Sequence, residues 1–351
     1  MKKIIIIAIL VIFVGAGIFI WSFLSGLGKP LSPGDEKTVA VEIMSGSGTS
    51  TIAEVLVDNG IIDSAFKFKV YSKLNDHDGT YKAGKYTLSP SMSYDEIISI
   101  IASGVSNSAS FTIPEGLTIY ETAEKLAEQG MGDKDVFVKL IEEGNFDYPF
   151  LQYSNDGKNK LEGYLLPNTY SVDEGASEEE VIRVFLDHFQ REIYDGIYLP
   201  LKESPEDNLA KKYDINQIVT IASIIERECK LDVERSTVSS VIQNRLDIGM
   251  PLQMDSTVTY VLNKKSLRVT YEDLEVDSLY NTYKYPGIPP GAICSPRAQS
   301  IEAALKPAST NYLYFVVSAK LDGSMEYSET YEKFEKDKAA FYEAYDAAGG
   351  E

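Results

Sequence analysis

The stretch Asp214–Glu228, D-I-N-Q-I-V-T-I-A-S-I-I-E-R-E, constrains this chain more than any other. It reads as one helix. Asp214 can cap its N-terminus, and Gln217 stands where a capping box wants Glu or Gln. Ile215, Ile218, Val219, Ala222, Ile225 and Cys229 follow at helical spacing and form one apolar stripe. Glu226 falls inside that stripe; Arg227 and Glu228 fall outside it. So one carboxylate points where the core should be, and its neighbour points away. A carboxyl group buried among apolar side chains keeps its proton near neutral pH, as a general acid requires. A buried Glu paired with a buried Arg or Lys is the alternative, and the helix alone leaves both open.

Two lysines, Lys2 and Lys3, precede an uncharged run from Ile4 to Leu24. That run is long enough to span a bilayer as a helix and longer than the apolar part of most cleaved signals. Trp21 stands near its far end, where interfacial aromatics collect. The expectation is a retained anchor over residues 1–29, a single pass through the cell membrane. The lysines place the short N-terminus in the cytoplasm and the rest outside.

The chain carries 53 acidic against 33 basic residues, a net charge of −20. That balance argues against nucleic acid as a partner. The only cysteines, Cys229 and Cys294, are expected as buried free thiols. His77 and His188 lie far apart without ligand-like neighbours, so no metal site is expected.

Residues 30–37 hold Pro30, Pro33 and Gly34 and read as a linker. From 38 to 106 the order is strand, helix, helix, strand. Val39, Val41 and Ile43 alternate, Thr51 with Glu54 can cap a helix ending at Asn59-Gly60, and Ser64 opens a second. Lys85–Leu88 returns as a strand, then Ser93 and Glu96 form a capping box. This order resembles a LysM module, a glycan-binding fold. Ile43, Gly46, Ala53, Glu54, Leu56 and Gly60 recur 70 residues later as Ile113, Gly116, Ala123, Glu124, Leu126 and Gly130. That is an internal repeat, carrying little chemical information by itself. The segment 107–212 holds the second repeat half, a loop at Leu161–Tyr170, a helix over 177–190 and a polar connector over 198–212. A catalytic region over 213–351 follows. It has a helix over 236–248 with Val238, Val241, Ile242 and Leu246 on one face, a strand over 312–317 and a polar helical tail. The fold class expected is α+β: a transmembrane helix, a LysM-like module and a larger mixed region.

Eight segments in order carry a resemblance. They are L-E-G-Y-L-L-P-N-T-Y at 161–170, I-A-S-I-I-E-R-E at 221–228, E-R at 234–235, N-R-L at 244–246, L-Q-M-D-S-T-V-T-Y at 252–260, Y-N-T-Y at 280–283, G-I-P-P-G at 287–291 and S-I-E-A-A-L-K-P at 300–307. Together they resemble the endolytic murein transglycosylases, the MltG/YceG-like family, over nearly the whole chain. The resemblance implies an anchored enzyme facing the cell wall. Such an enzyme cuts the β-1,4 bond between N-acetylmuramic acid and N-acetylglucosamine inside glycan strands and leaves 1,6-anhydro ends. Its partners would be peptidoglycan strands, with peptidoglycan synthases as candidate protein partners; no organic cofactor or metal is implied. The resemblance makes Glu226 the catalytic residue. Gln253, Asp255, Tyr280, Asn281, Thr282 and Tyr283 become candidates for contacting N-acetyl sugars. Arg245 could pair with Glu234 or Glu228. The pattern departs from the family at Asn168, usually Asp, at Ser256, usually Pro, and at Ser295 and Arg297, usually Asn and Gly. Met44, Met325 and Phe334 depart as well. A glycan-binding scaffold without activity and a hydrolase using Asp255 or Glu228 as second carboxylate stay open.

Overall fold

The computed structural model of the chain describes residues 26–35, 37–44, 46–104, 108–154, 159–264 and 269–349. The expected anchor Ile4–Leu24 lies outside the described residues. Among the described residues no helix is long and apolar enough to cross a membrane. The chain divides into two compact units. One runs to Ala109 and adds Asp173–Gly175; the other holds Ser110–Val172 and the chain from Ala176 on.

In the first unit β1 (Val39–Ile43) pairs antiparallel with β2 (Gly84–Leu88), with Val41 opposite Tyr86. Between them lie α1 (Thr49–Asp58) and α2 (Ala65–Leu74), and α3 (Tyr94–Ser103) follows β2. Alternation puts Val41 and Ile43 on one face of β1, against Ile52, Leu56 and Phe68. Each such burial contributes about 1.5–3 kcal/mol. The caps at Ser64 and at Ser93 with Glu96 form as the sequence predicts. The cap at Thr51 does not. Gly48 is extended and helical geometry already begins at Thr49, so Thr51 sits inside the first turn.

The internal repeat is structural. α4 (Ile119–Glu128) stands 70 residues after α1. Gly46 and Gly116 both adopt positive φ, +81° and +73°, in the turn between strand and helix. Ala53 and Leu56 are buried in one copy, Ala123 and Leu126 in the other.

In the second unit β3 (Ser108–Ile113) pairs with β4 (Asn168–Asp173). The end of the loop expected over 161–170 is therefore strand. Tyr170 and Val172 are buried in alternation, a period that starts only where the L-E-G-Y segment ends. After α5 (Lys134–Glu143) and α6 (Glu178–Phe189), the chain winds on as a wider π-helix over Gln190–Tyr198. The polar connector holds two short helices, α7 (Leu199–Glu203) and α8 (Leu209–Lys212), the second capped by Asn208.

The central element is α9 (Ile215–Glu228). Asp214 and Gln217 form its capping box, and Cys229 is its C-cap. The stripe predicted from sequence is buried, but so is most of the rest of the helix, including Asn216, Thr220 and Ser223. These polar residues can be buried there because each is hydrogen-bonded, Asn216 donating to Pro290 O at 3.2 Å and the two hydroxyls bonding within the helix. Thr220 donates to Asn216 O at 2.7 Å and Ser223 to Thr220 O at 2.7 Å. Gly163, at φ +89°, lets its segment come against this helix. A Cβ there would lie 2.5 Å from Val219 Cγ1 and 2.7 Å from Ala292 Cβ. Around α9 stand α10 (Arg235–Asp247), α11 (Asp255–Val261) and α12 (Ala298–Leu305). A hairpin of β5 (Tyr314–Val317) and β6 (Met325–Ser328) precedes α13 (Tyr331–Ala347). β6 is too short and polar to read from sequence. Tyr327 holds it, stacking on Tyr312 and donating to Glu234 at 2.6 Å.

Candidate active site

Glu226 sits in the last turn of α9 with its side chain 3 % exposed. Its Oε2 accepts from Ser300 Oγ at 2.8 Å, from the backbone N–H of Arg297 at 3.0 Å and from Arg235 Nη1 at 3.4 Å. Its Oε1 accepts from Arg297 Nε at 3.0 Å. Arg297 is the N-cap of α12 and contributes no side-chain cap of its own. Glu226 thus places a carboxylate at the amino end of α12, where the helix dipole and unpaired N–H groups favour negative charge. Of the two surroundings the sequence left open, the pair with a buried arginine is the one found. Arg235 is 2 % exposed and fills a place in the core of the unit.

The residues that hold Glu226 come from far apart in sequence. Arg235 also donates to Ser300 Oγ at 2.7 Å and to Asp232 Oδ1 at 3.0 Å. Arg297 Nη1 reaches the same Asp232 oxygen at 3.3 Å, and its Nη2 lies 3.9 Å from Glu115 Oε1. The turn of the second repeat closes this side. Gly116 N donates to Ser295 O at 3.2 Å, Ser295 N to Leu117 O at 2.8 Å, and Arg227 Nη1 to Gly116 O at 3.2 Å. The second copy of the repeat therefore lies against the end of α9, through the 114–117 turn beside Glu226.

Sequence reasoning missed Arg235 and Ser300 as partners of Glu226. A signal for Arg235 was present. It precedes Val238 by three and Ile242 by seven, so it rides on the apolar face of α10. Ser300 carried no such signal, since its contact depends on how α12 meets α9. Arg297 stood out only as a departure from the family pattern; the structure puts it on Glu226.

Glu228 does not project freely. Its Oε1 accepts from Ser256 Oγ at 2.6 Å and from Ser256 N at 3.4 Å. Burial pushes its carboxyl above the usual range; the Ser256 hydrogen bond opposes that and the Asp255 charge adds to it. Glu226 and Glu228 are two residues apart, about 200° around the helix, so they serve different sides of it.

The predicted sugar contacts gather around Glu228 and α11. Tyr283 donates to Asp255 Oδ1, and burial followed by that bond pushes its hydroxyl well up. Gln253 is exposed and held at φ +50°, with its N–H donating to Thr282 O at 3.1 Å. Thr282 is buried; its Oγ1 accepts from Met254 N at 2.9 Å. Asn281 is fully buried and donates to Leu274 O and Val276 O, both at 2.9 Å. Tyr280 is buried with its ring against Tyr260. Asn281 and Thr282 thus fold the 274–285 turn, while Gln253, Asp255 and part of Tyr283 stay open to solvent.

Arg245 pairs with neither Glu234 nor Glu228. Its Nε donates to Leu313 O at 2.6 Å, and its Nη1 to Leu252 O at 2.5 Å. Glu234 instead takes Tyr327. Position 245 faces the β5 hairpin, so backbone carbonyls are the acceptors within reach. Cys229 and Cys294 are free and buried, as expected. Burial raises the Cys229 thiol to about 12 and raises Cys294 as well. Among the described residues no His, Cys, Asp or Glu group could hold a metal ion.

A mixed α and β unit with one deeply held glutamate at the end of its central helix defines a class of protein. Residues 41–340 match the YceG-like family, and the chain belongs to it. It is similar to the endolytic murein transglycosylase of Bacillus subtilis strain 168, at 36 % identity over 325 residues, 89 % of this chain and 87 % of the relative. It is also similar to the protein of the same name from Streptococcus pneumoniae strain D39, at 28 % identity over 338 residues, 88 % of this chain and 59 % of the relative. A solved yceG-like protein from Listeria monocytogenes matches with a TM-score of 0.56 and 34 % identity, over 86 % of this chain and 99 % of that one.

Proposed function

We propose that this chain is a membrane-anchored lytic transglycosylase that cuts within peptidoglycan glycan strands, with Glu226 as acid and then base. The observation that supports it most is the placement of Glu226: one carboxylate at the amino end of α12, with Glu228 on a different side of α9. A single acid at the reacting bond suits a transglycosylase; the neighbouring Asp232 and Glu115 are engaged with Arg235 and Arg297. It gives its proton to the leaving oxygen of the β-1,4 bond. As a carboxylate it then takes the proton of the C6 hydroxyl of the same sugar, whose oxygen bonds to C1. The product is a 1,6-anhydro end and no water is consumed. Tethering the nucleophile gives the proximity advantage of an intramolecular reaction. Gln253, Asp255 and Tyr283 stand on the Glu228 side of α9, and in this reading they hold glycan away from the cleaved bond, with Tyr280, Asn281 and Thr282 shaping the turn beside them. The β-α-α-β unit ahead of them binds glycan as a LysM-like module, and residues 4–24 anchor the protein. Carbonate extraction that releases the protein from membranes would contradict the anchor.

The test of the acid is substitution. Glu226→Gln is expected to abolish glycan cleavage with the protein still folded. Glu228→Gln is expected to keep most activity, because a Gln amide oxygen can still accept from Ser256. The reverse pattern would sink the assignment. A second reading has one observation behind it: Glu228 is a carboxyl held above the usual range beside a second carboxylate, Asp255. That pair would make a hydrolase, which needs two carboxyl groups and leaves reducing ends.

A further inference from the structure

We infer that Arg297 is a displaceable clamp on Glu226, a positioning residue that must leave Oε1 before the acid can act and so sets the pH range of cleavage. The inference rests on Glu226 being the acid.

The hydrogen bonds around Glu226 are asymmetric. Ser300 Oγ accepts from Arg235, which leaves the Ser300 proton to point at Oε2. The Arg297 N–H and Arg235 Nη1 also point there, so Oε2 meets donors only. A proton on Glu226 therefore belongs on Oε1. The partner of Oε1 is Arg297 Nε, which lies between the two oxygens, 3.0 Å from Oε1 and 3.3 Å from Oε2, and it too is a donor. The acid proton and the Arg297 N–H compete for one position.

The partners differ in their freedom to move. Arg235 is buried and tied to Ser300 and Asp232. The Arg297 backbone is fixed as the cap of α12. The Arg297 side chain is 27 % exposed, against 3 % for Glu226. It also has acceptors ready elsewhere: Asp232 at 3.3 Å, with its side chain 61 % exposed, and Glu115 at 3.9 Å, 50 % exposed. Rotating the guanidinium toward those two frees Oε1 and leaves Oε2 held by Ser300, the Arg297 N–H and Arg235. An incoming sugar that occupies the space over Oε1 drives the same exchange. Among the described residues, other charged or titratable groups near Glu226 include Arg227, Glu228 and Cys229 on its own helix or its cap, Glu234 ahead of α10, and Cys294 on the segment leading to α12. Arg227 is bonded to Gly116 O, Glu228 to Ser256, and the two thiols are buried.

The experiment compares Arg297→Met and Arg297→Lys with the parent, each as the full chain in mild detergent. The first readout is the pH profile of kcat/KM on purified glycan strands. The second is a 13C NMR titration of the Glu226 carboxyl, which needs no turnover. Removing a positive charge beside a carboxyl group favours its protonated form. Arg297→Met is therefore expected to move the alkaline limb and the NMR titration upward, with more activity than the parent above the parent limb. Arg297→Lys is expected to fall between the two. A limb and a titration that both stay in place overturn the clamp, whatever happens to the maximum rate. If Glu226→Gln still cleaves, the acid assignment fails and the clamp's role in cleavage fails with it, whereas an unmoved titration with an inactive Glu226→Gln overturns the clamp alone.

Discussion

Replacing Arg235 by Met is expected to destabilise the second unit by about 3 kcal/mol. The guanidinium lies 3.4 Å from Glu226 Oε2, and both side chains are almost wholly buried. At an effective dielectric constant of about 20 their gross attraction is about 5 kcal/mol. Desolvating the two ions offsets most of that, so the intact pair adds little net stability. Breaking it is a different matter, because Glu226 stays buried with its charge less compensated, typically at about 3–5 kcal/mol. The low end applies because Arg297 still reaches Oε1 at 3.0 Å. Met keeps the bulk of the arginine stem, which limits the cavity left behind. In a Glu226→Gln background the same Arg235→Met change should cost about 2 kcal/mol less, since no buried charge is orphaned. Lost bonds to Ser300 and Asp232 appear in both backgrounds and cancel in the cycle. The assay is urea unfolding of the four proteins, with midpoints compared at constant m. Equal costs in the two backgrounds would mean that Arg235 only packs.

Gly163→Ala should destabilise by about 2–5 kcal/mol, combining a strained positive φ with overpacking against Val219 and Ala292; an unshifted thermal transition would refute the close approach. Cys229 and Cys294 should resist an aromatic disulfide reagent at pH 8 and react once the protein is unfolded. The reagent attacks the thiolate, and burial has raised both thiols; fast labelling of the folded protein would contradict this.

The helix that carries Glu226 was legible because its signals are local: a capping box, a six-residue stripe and a single carboxylate inside it. The repeat was legible for the same reason, as its glycines and apolar positions recur at a fixed offset. Strand β6 was not, since Tyr327 stabilises it by contacts with Tyr312 and Glu234 that no local pattern encodes. The surroundings of Glu226 were half legible. Arg235 betrayed itself by standing on an apolar helix face. Ser300 and Arg297 meet Glu226 only because α12 points its amino end at the end of α9, a fact of packing. Arg245 misled for a related reason. Charge alone proposed a carboxylate partner, and the fold supplied carbonyls instead.

The central claim is that Glu226 works without a second carboxylate and that the sugar supplies the nucleophile. Mass spectrometry of glycan strands digested by the full chain tests this most directly. Anhydro ends are lighter than reducing ends by the mass of one water, so the products report which nucleophile attacked C1. The account predicts internal cuts with anhydro ends from the parent protein and no cuts from Glu226→Gln. Predominantly reducing ends would contradict it, and would move attention to Glu228 and Asp255 on the other side of the helix.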